Sequence, residues 1–389
     1  MTVESVLVWF SLIPGIVLLA ELAISLIKKT DPPANVISQV TKYECRLAII
    51  MPAHNEEAVV EKSVQSVHSQ LSIGDLLVVV ADNCTDNTAK AVRSLNLEGV
   101  IILERFDSIH RGKGFALSYG YNYLIQKEEA YDLLGIIDAD CQFSEQGSID
   151  LIKQECKYED LFQVRYLMKS NENNSLMSAF AWYLKTSARS VGMSRLFGAC
   201  HIQGSGFFFS SRVMNLVNFA SGSIVEDLEL GLNMAEEKVF CKYVSNVTLL
   251  SEMPSDFETL QTQKSRWEVG HLNILLNESF PRALRAIKQL NPRYFFLICD
   301  LSIPPLVTYL IFLTIFMVIL LIIGSVTSTI YFVYFLTILS LIYFHWRRFC
   351  KSFNVNFEFI QLVTYSKIKL KVVINYFNKK ARVWNKTKR

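Results

Sequence analysis

Two aspartates separated by a single residue, Asp138 and Asp140, point most directly to chemistry in this sequence. They follow the apolar run Leu133–Ile137, and in an extended segment residues i and i+2 point the same way. Two carboxylates that share one site repel each other unless a cation neutralises them. A hard divalent ion that keeps some waters and binds substrate phosphates prefers such oxygen ligands. The pair therefore predicts a site for a divalent cation.

Polar residues also follow two other short apolar runs. Leu47–Met51 leads into Pro52–Glu57, and Leu76–Val80 leads into Asp82–Asp86. The carboxyl ends of parallel strands converge on one crevice, so these side chains are expected beside the aspartate pair. The segment Asp82–Asp86 could equally cap a helix, because Asp, Asn and Thr oxygens accept hydrogen bonds from the first helical amides.

A glycine-rich segment, Arg111–Gly114, precedes the helical pattern Phe115–Gln126. Glycines before a helix let backbone amides approach an anion, and Lys113 adds a positive charge. The alternative is a flexible surface turn. The segment is neither a P-loop nor GxGxxG, so it predicts neither an ATPase nor a dinucleotide-binding enzyme.

Two later segments add carboxylates and groups suited to phosphate and sugar. Glu226 and Asp227 stand at the head of a predicted helix, where capping would account for only one of them. Gln263–Trp267 combines an amide, a guanidinium and an indole within about one helical turn. Arginine suits pyrophosphate through its planar fork, and tryptophan offers a flat face to a sugar ring. Taken singly, they would more often be a surface arginine and a packed tryptophan.

The elements that must position these residues alternate between strands and helices. Leu47–Met51, Leu76–Val80 and Leu133–Ile137 are short and apolar, as buried parallel strands are. The first two lead into helical patterns at Glu56–Leu71 and Thr85–Leu95. This alternation predicts an α/β, doubly wound, Rossmann-like fold in which ligands bind beyond the carboxyl ends of the strands.

Apolar residues make up 51% of the chain, with a mean hydropathy of +0.26, and concentrate towards its two ends. Ser5–Ile27 is long enough to span a bilayer, although a cleavable signal peptide is the alternative. The uncharged stretch 301–346 predicts two antiparallel spans, at about 301–323 and 329–346. Lys28 and Lys29, with Arg347 and Arg348, place the amino terminus outside and the central body in the cytoplasm.

The resulting organisation is an anchor at 1–29, a catalytic domain at 30–290 and a membrane region at 291–389. Residues 271–293, mixed apolar and basic, are expected to lie along the membrane interface. The tail from 367 to 389 holds nine basic residues and no acidic one, which indicates a solvated tail or a surface on anionic lipid. The eight scattered cysteines predict free thiols rather than disulfides or a zinc site.

Taken in order, these segments resemble the family 2 glycosyltransferases. More narrowly, they resemble the membrane-integrated branch that contains cellulose, chitin and hyaluronan synthases and ceramide glucosyltransferase. The likeness covers about Ala48 to His271, and four segments carry it. These are Asp82, Asp138-Ala139-Asp140, Glu226-Asp227 and Gln263-Lys264-Ser265-Arg266-Trp267.

The resemblance implies a GT-A fold and a role for each residue. It implies that Asp227 is the general base and that Asp138 and Asp140 hold Mg or Mn against the diphosphate. The residues that it implies for donor binding are Pro52, Asn55, Glu56, Asp82 (on uracil), Lys113, Asp138 and Arg266. Those that it implies for acceptor binding are Gly204, Ser205, Glu226, Gln263 and Trp267.

The expected function is therefore an inverting, metal-dependent transfer of sugar from a nucleotide sugar, a UDP-sugar first, at the cytoplasmic face of the membrane. The expected product is a β-linked exopolysaccharide, and Trp384–Arg389 resembles the ending of several bacterial exopolysaccharide synthases. A single-transfer enzyme that forms a glycolipid is the alternative, and a non-catalytic assembly subunit is a third. The expected partners are the donor, a saccharide or lipid acceptor, membrane lipids, and a further subunit or second copy, but not nucleic acid.

Overall fold

The computed structural model describes residues 3–27, 45–127, 129–170, 175–254, 257–323 and 327–355. The chain divides into two compact units. The described residues of the sheet unit lie within 29–169 and 199–252, and those of the helical unit lie within 1–28, 170–198 and 253–387. Lys28, Lys29 and the basic tail 367–389 fall outside the described residues.

Helices and strands occupy most of the described chain. In chain order the α-helices are α1 (Val3–Leu26), α2 (Val60–His68), α3 (Thr88–Ser94), α4 (Lys113–Gln126), α5 (Ser148–Glu155), α6 (Leu176–Tyr183), α7 (Ser190–Phe197), α8 (Glu226–Glu236), α9 (Phe257–Asn277), α10 (Ser279–Lys288), α11 (Pro292–Leu301), α12 (Leu306–Ile323) and α13 (Thr327–Phe353). The strands are β1 (Leu47–Ala53), β2 (Leu76–Asp82), β3 (Val100–Arg105), β4 (Leu133–Ile136), β5 (Gln142–Phe143), β6 (Leu161–Lys169), β7 (Phe207–Ser210) and β8 (Lys242–Glu252).

One mixed sheet with the order β3-β2-β1-β4-β7-β6-β8-β5 forms the centre of the sheet unit. Its first half, β3-β2-β1-β4, is entirely parallel, whereas β7 runs antiparallel to both β4 and β6. The expected α/β class and the three predicted strands are confirmed. In the second half, β7 lies between β4 and β6 and carries the run Phe207–Phe209, whose rings are fully buried.

The helices on the parallel half begin later than the sequence pattern predicts. The predicted helix Glu56–Leu71 is confined to Val60–His68, because residues 56–59 form a turn in which Glu56 O accepts the amide of Val59. Thr85–Leu95 likewise shortens to Thr88–Ser94. Helix α4 lies close to β1 and β2 at Gly120, where a Cβ would lie 2.9 Å from Ile50 Cγ2. This close approach fixes the start of α4 near the carboxyl ends of the strands.

The helical unit packs α1 against α7, α11 and α13. Gly192 on α7 faces the backbone of Glu21 on α1 so closely that a Cβ there would collide with it. Arg189, in a π-helical segment Leu184–Arg189 between α6 and α7, pairs with both Glu21 and Asp300. A buried three-residue ion cluster therefore joins three helices of this unit.

One described helix, at Ser328–Phe353, is long and apolar enough to cross a bilayer. Helices α11 and α12 would give a second span only as a broken pair, bent by 76°, and Gly15–Leu26 is a shorter apolar helix. The expected span 301–323 begins instead at Leu306, because Pro304 and Pro305 separate α11 from α12. The expected span 329–346 extends to Phe353, and the three-span topology stays a prediction.

All eight cysteines are free thiols, as the sequence predicts.

Candidate active site

A lysine at the first position of α4 contacts the aspartate that ends β4. Lys113 Nζ lies 2.5 Å from Asp138 Oδ1 and donates to the carbonyl oxygen of Gly204, also at 2.5 Å. The N-cap residue Gly112 has φ +130°, a conformation that favours glycine. A Cβ on Gly114 would lie 2.5 Å from the carbonyl oxygens of Phe219 and Ser221. Close packing therefore holds this turn in place, which does not fit the alternative of a flexible surface turn.

Burial alone would lower the pKa of Lys113, but the carboxylates of Asp138, Glu226 and Asp227 outweigh that effect and raise it above its usual value. Lys113 therefore carries its charge at any physiological pH. Its positive charge offsets the repulsion between the neighbouring carboxylates. This repulsion alone is therefore no evidence for a metal ion.

The aspartate pair still has the chemistry of a site for a cation that is also bound by the substrate. Ala139 is buried while Asp138 and Asp140 on either side of it are half-buried, the alternation expected of an extended tip. Within the described ranges, no group of three or more His, Cys, Asp and Glu side chains could hold a metal ion. These residues fit an ion that takes its remaining ligands from water and a phosphate, as Mg²⁺ does, and not an all-protein cage.

Two carboxylates at the start of α8 face the same lysine. Val225 is the N-cap of α8 and makes no side-chain cap bond. Neither Glu226 nor Asp227 therefore caps the helix, although the sequence predicted that one of them would. Asp227 Oδ2 faces the backbone of Gly204, where a Cβ would lie 3.4 Å away. Burial, and then the charge of Asp227, raises the pKa of Glu226 to about 8. This pair and Asp138 therefore surround one ammonium group.

A cavity of about 210 Å³ opens beside this cluster. Its lining comes from α4, β7, the segment before α8 and α8 itself: Leu117, Phe207, Asn218, Phe219, Ala220, Ser221, Glu226, Asp227, Glu229, Leu230 and Asn233. Glu229 accepts hydrogen bonds from the hydroxyls of Ser221 and Ser223, so it holds the segment before α8 in place. Glu226 and Asp227 also line the cavity, and these two hydroxyls bond Glu229 rather than either of them.

Asp82 at the end of β2 forms an ion pair that the sequence pattern did not predict. Arg105 at the end of β3 donates from Nη1 to Asp82 Oδ1 at 2.6 Å, and both side chains are about nine-tenths buried. Arg105 Nη2 also bonds Asp107 and the carbonyl oxygen of His110. The register of β2 against β3, which pairs Asp82 with Arg105, brings the two residues together. The sequence pattern missed this ion pair because it did not include the register of β2 on β3.

The capping alternative for Asp82–Asp86 applies to Asp86 and not to Asp82. Asp86 Oδ1 accepts from the amide and hydroxyl of Thr88, the first residue of α3. Asn55 Oδ1 accepts from Thr85 N at 2.6 Å, and Glu56 N donates to Thr88 Oγ1 at 2.9 Å. The segment Pro52–Glu56, which is expected to bind the donor, is thus hydrogen-bonded to the loop that follows β2. One of these bonds occupies the side-chain oxygen of Asn55. Pro52 pairs with Val80 within the sheet.

Ser205 hydrogen-bonds the segment that carries the aspartate pair. It is fully buried, and its hydroxyl accepts from Asp138 N at 3.0 Å and donates to Cys141 Sγ at 3.3 Å. Gly204 has φ +76° and presents its carbonyl oxygen to Lys113. Ser205 therefore positions Asp138 in this structure, and its expected part in acceptor binding stays a prediction.

Gln263, Arg266 and Trp267 lie on α9 and belong to the helical unit. Gln263 is buried, and the ring of Trp267 packs on that of Trp182 with centroids 4.7 Å apart. The sheet unit by itself brings together Lys113, Asp138, Gly204, Glu226 and Asp227. The contribution of α9 to that cluster stays a prediction.

Two family models match the chain. Glycosyl transferase family 2 matches residues 48–214, and Glycosyl transferase family group 2 matches residues 135–346. A curated relative, a "Probable glycosyltransferase" of Sulfolobus acidocaldarius, is 24% identical over 256 residues, 59% of this chain and 51% of the relative. The chain thus spans about half the length of this relative.

Solved structures give weaker likenesses. The mannosyltransferase PcManGT from Pyrobaculum calidifontis, in complex with GDP-Man and Mn²⁺, is 13% identical with a TM-score of 0.49, covering 85% of this chain and 97% of that one. Glucosyl-3-phosphoglycerate synthase from Mycobacterium tuberculosis, with Mg²⁺ and UDP, is 16% identical with a TM-score of 0.40, covering 59% and 79%.

Proposed function

This chain belongs to Glycosyl transferase family group 2, and on that premise we propose that it transfers a sugar from a nucleotide-sugar donor to an acceptor with inversion at the anomeric carbon. The observation that carries the proposal is the cluster of Lys113, Asp138, Glu226 and Asp227 beside a cavity. Inversion by direct displacement needs a base on the acceptor side and a stabilised diphosphate on the other. The cluster offers groups for both.

On the acceptor side, Asp227 is the proposed general base. Glu226, with a pKa of about 8, holds its proton at neutral pH, so it is not the proposed base. Asp227 lines the cavity, where a hydroxyl could lie within hydrogen-bond reach. As the hydroxyl attacks the anomeric carbon, its proton would pass to Asp227 and the bond to the diphosphate would break.

On the donor side, Lys113 is the proposed electrostatic partner of the diphosphate. Its ammonium group stands at the amino-terminal end of α4, where unpaired backbone amides also favour an anion. Asp138 and Asp140 would hold Mg or Mn, which when bound stabilises charge on the leaving phosphate oxygens. Arg266 is proposed to assist from α9 through its bidentate donors.

Asp82 is the proposed contact for a uracil base, and Arg105 is its positioning residue. Arg105 and Asn83 both donate to Asp82 Oδ1. No residue in the described part of the chain donates to Oδ2, so this oxygen can accept the ring N–H of a uracil. This arrangement is consistent with the proposed UDP-sugar donor.

We place the reaction at the cytoplasmic face of a membrane. The long apolar helix at Ser328–Phe353, the broken pair α11–α12 and the basic residues after each apolar segment support this placement. The proposed acceptor is a growing β-linked polysaccharide, with Gln263 and Trp267 at its binding site. A lipid acceptor is the second candidate, which the exposed apolar surface of α12 and α13 favours.

The transfer itself is tested with the purified full-length chain and radiolabelled UDP-sugars. Asp227→Asn is expected to lower the rate by about 10²–10⁴-fold, because a general base is lost, while UDP binding changes little. The matched control is Asp150→Asn, which removes an exposed carboxylate of the same unit. Equal loss of transfer and UDP binding would contradict the assignment of the base.

The products and the metal are tested in the same assay. Polymer that stays at the chromatographic origin supports the polysaccharide product, and a discrete mobile spot supports a glycolipid. EDTA is expected to stop transfer, and Mg or Mn to restore it. Full turnover in chelator would contradict the proposed metal site, and donor binding without any transfer would indicate a non-catalytic subunit.

A further inference from the structure

A short segment of the sheet unit, residues 218–225, forms neither helix nor strand and packs on the turn before α4. The contact is made by the backbone of Phe219 and Ser221, whose carbonyl oxygens would each lie 2.5 Å from a Cβ on Gly114. Only glycine therefore allows this close approach. Since Gly114 directly follows Lys113, the segment supports the turn that carries the proposed cation of the donor side.

The other end of segment 218–225 sets the start of α8. Val225 is the N-cap of this helix, and its carbonyl oxygen accepts the amide of Glu229 at 3.1 Å. Asp227, the proposed base, lies two residues after Val225, within the first turn of α8. The position of Val225 therefore determines where the helix presents Asp227.

The same segment forms one wall of the cavity, through residues 218–221. The ring of Phe219 is buried and packs edge-on against Tyr121 of α4, with centroids 5.7 Å apart, and against Phe209 of β7, with centroids 6.0 Å apart. Such edge-to-face pairs add to the burial energy of the rings. The beginning of the segment is therefore anchored to α4 and the sheet.

The rest of the segment is anchored to α8 by one carboxylate. Ser223 Oγ donates to Glu229 Oε1 at 2.7 Å, and Ser221 Oγ donates to Glu229 Oε2 at 3.4 Å. The same two hydroxyls accept backbone amides two residues further along, from Ser223 at 3.0 Å and from Val225 at 3.3 Å. A carboxylate can accept from both hydroxyls at once, one on each oxygen. Glu229 therefore holds the segment through two side chains that also order its backbone.

We propose that Glu229 is a positioning residue for both halves of the site: through the two serine hydroxyls it holds segment 218–225 as a fixed link between the turn of Lys113 and the start of α8. A displacement of about 1 Å between reacting groups can lower a rate on the order of 10²-fold, so such a link matters to transfer. This inference rests on the proposed function for the roles of Lys113 and Asp227, whereas the link itself does not depend on sugar transfer.

The link is tested first by amide hydrogen exchange of the full-length chain in detergent, which needs no catalysis. Glu229→Gln keeps the size of the side chain but leaves one accepting oxygen instead of two. Exchange is expected to become about tenfold faster in segment 218–225 and in residues 111–116, in line with one lost hydrogen bond. Faster exchange in segment 218–225 alone, or throughout the sheet unit, would overturn the link.

The matched control is Glu237→Gln, which makes the same chemical change at the exposed C-cap residue of α8. It is expected to alter exchange in neither segment 218–225 nor residues 111–116. The same faster exchange in this control would overturn the assignment to Glu229.

Transfer and UDP binding then separate positioning from a role as base. Glu229→Gln is expected to lower kcat about tenfold and to weaken UDP binding about threefold, because both halves of the site lose support. Asp227→Asn, by contrast, is expected to change UDP binding little. Unchanged UDP affinity in Glu229→Gln would confine its effect to α8 and overturn the link. A loss of transfer equal to that of Asp227→Asn would make Glu229 a candidate base and overturn it likewise.

Two variants of Ser223 separate the hydrogen bond from folding. Threonine keeps the hydroxyl and alanine removes it, so Ser223→Ala should show the faster exchange and Ser223→Thr should restore the wild-type rate. In the double variant with Glu229→Gln, the alanine change should add little, because both changes remove the same bond. Fully additive effects, or an alanine variant that exchanges like the wild type, would overturn the role of this bond.

The exchange and transfer measurements together separate this inference from the proposed function. Faster exchange at both places in Glu229→Gln, on a chain that transfers no sugar, would support the link and contradict the proposed function alone. Sugar transfer by the wild type, with unchanged exchange in Glu229→Gln, would overturn the link alone.

Discussion

The two units of this chain differ in where they place their largest aromatic side chains and some of their charged residues. In the sheet unit Phe207, Phe208 and Phe209 are fully buried, and charged residues such as Lys62 and Asp150 face solvent. In the helical unit Glu21 and Asp300 are buried, whereas Phe312 is exposed. Because apolar surface is favoured only where water is excluded, the exposed Phe312 is what the proposed membrane placement of the second unit leads us to expect.

Removal of the guanidinium at the centre of the helical unit should have the largest effect. Arg189→Met leaves Glu21 and Asp300 buried without their shared cation, and we expect the free energy of unfolding to fall by about 5 kcal/mol. Thermal unfolding of the purified chain in detergent measures this loss. Lys62→Met is the control at an exposed position, and equal unfolding temperatures for the two variants would contradict a structural ion cluster.

Removal of one aromatic ring from each unit sharpens the contrast. Phe208→Ala opens a cavity in the core of the sheet unit and should cost about 4 kcal/mol of unfolding free energy. Phe312→Ala removes an exposed ring of α12 and should cost little in detergent. Comparable losses, measured by thermal unfolding, would mean that α12 is packed against protein instead of facing an apolar solvent.

The ion pair at the end of β2 should behave differently from the cluster of the helical unit. Arg105→Met leaves Asp82 without its strongest donor, so we expect UDP to bind about tenfold more weakly, in line with one lost charge-assisted hydrogen bond. Calorimetric titration of UDP measures this, with Arg93→Met, an exposed arginine of α3, as control. Unchanged UDP affinity would remove Arg105 and Asp82 from the donor site.

The smallest effect is expected in the pH dependence of the sheet unit. Folding raises the pKa of Glu226 from 4.5 to about 8, so the folded state holds a proton that the unfolded state releases. Its contribution to stability is therefore present below pH 4.5 and is lost as pH rises to about 8. Ionisation near pH 8 also adds a negative charge beside the proposed diphosphate site, which should weaken UDP binding.

Glu226→Gln tests this titration without a large change of shape. The variant should bind UDP with the same affinity on both sides of pH 8, while the wild-type affinity falls. Asp150→Asn is again the exposed control. A wild-type affinity that does not change between pH 7 and pH 9 would show that Glu226 is not the titrating group.

Local sequence pattern was enough for three of the four strands in the parallel half of the sheet, β1, β2 and β4, but it did not predict β3. The apolar runs at β1, β2 and β4 predict buried strands, and the polar residues after them fall at one edge. The helix starts at Lys113 and Glu226 were also close to expectation. These features depend on residues near each other in the chain, which is why a pattern of types and spacings reveals them.

Other features depend on pairs of residues that are far apart in sequence. The register of β2 on β3 brings Arg105 to Asp82, and the packing of α6 on α9 brings Trp182 to Trp267. Ser205 likewise reaches Asp138 only because β7 runs beside β4. No periodicity within a segment carries this information, since each contact is set by how separate elements pack.

The amino-acid sequence by itself determined which residues could carry charge, where β1, β2 and β4 would lie and which segments are candidate membrane spans. Only the tertiary structure decided that Lys113 neutralises Asp138, that Glu226 and Asp227 are not helix caps, and that Arg282 turns inward while Phe280 turns outward. The physical reason is that side-chain type follows from the chain, whereas the charge state and exposure of a side chain depend on its neighbours in space.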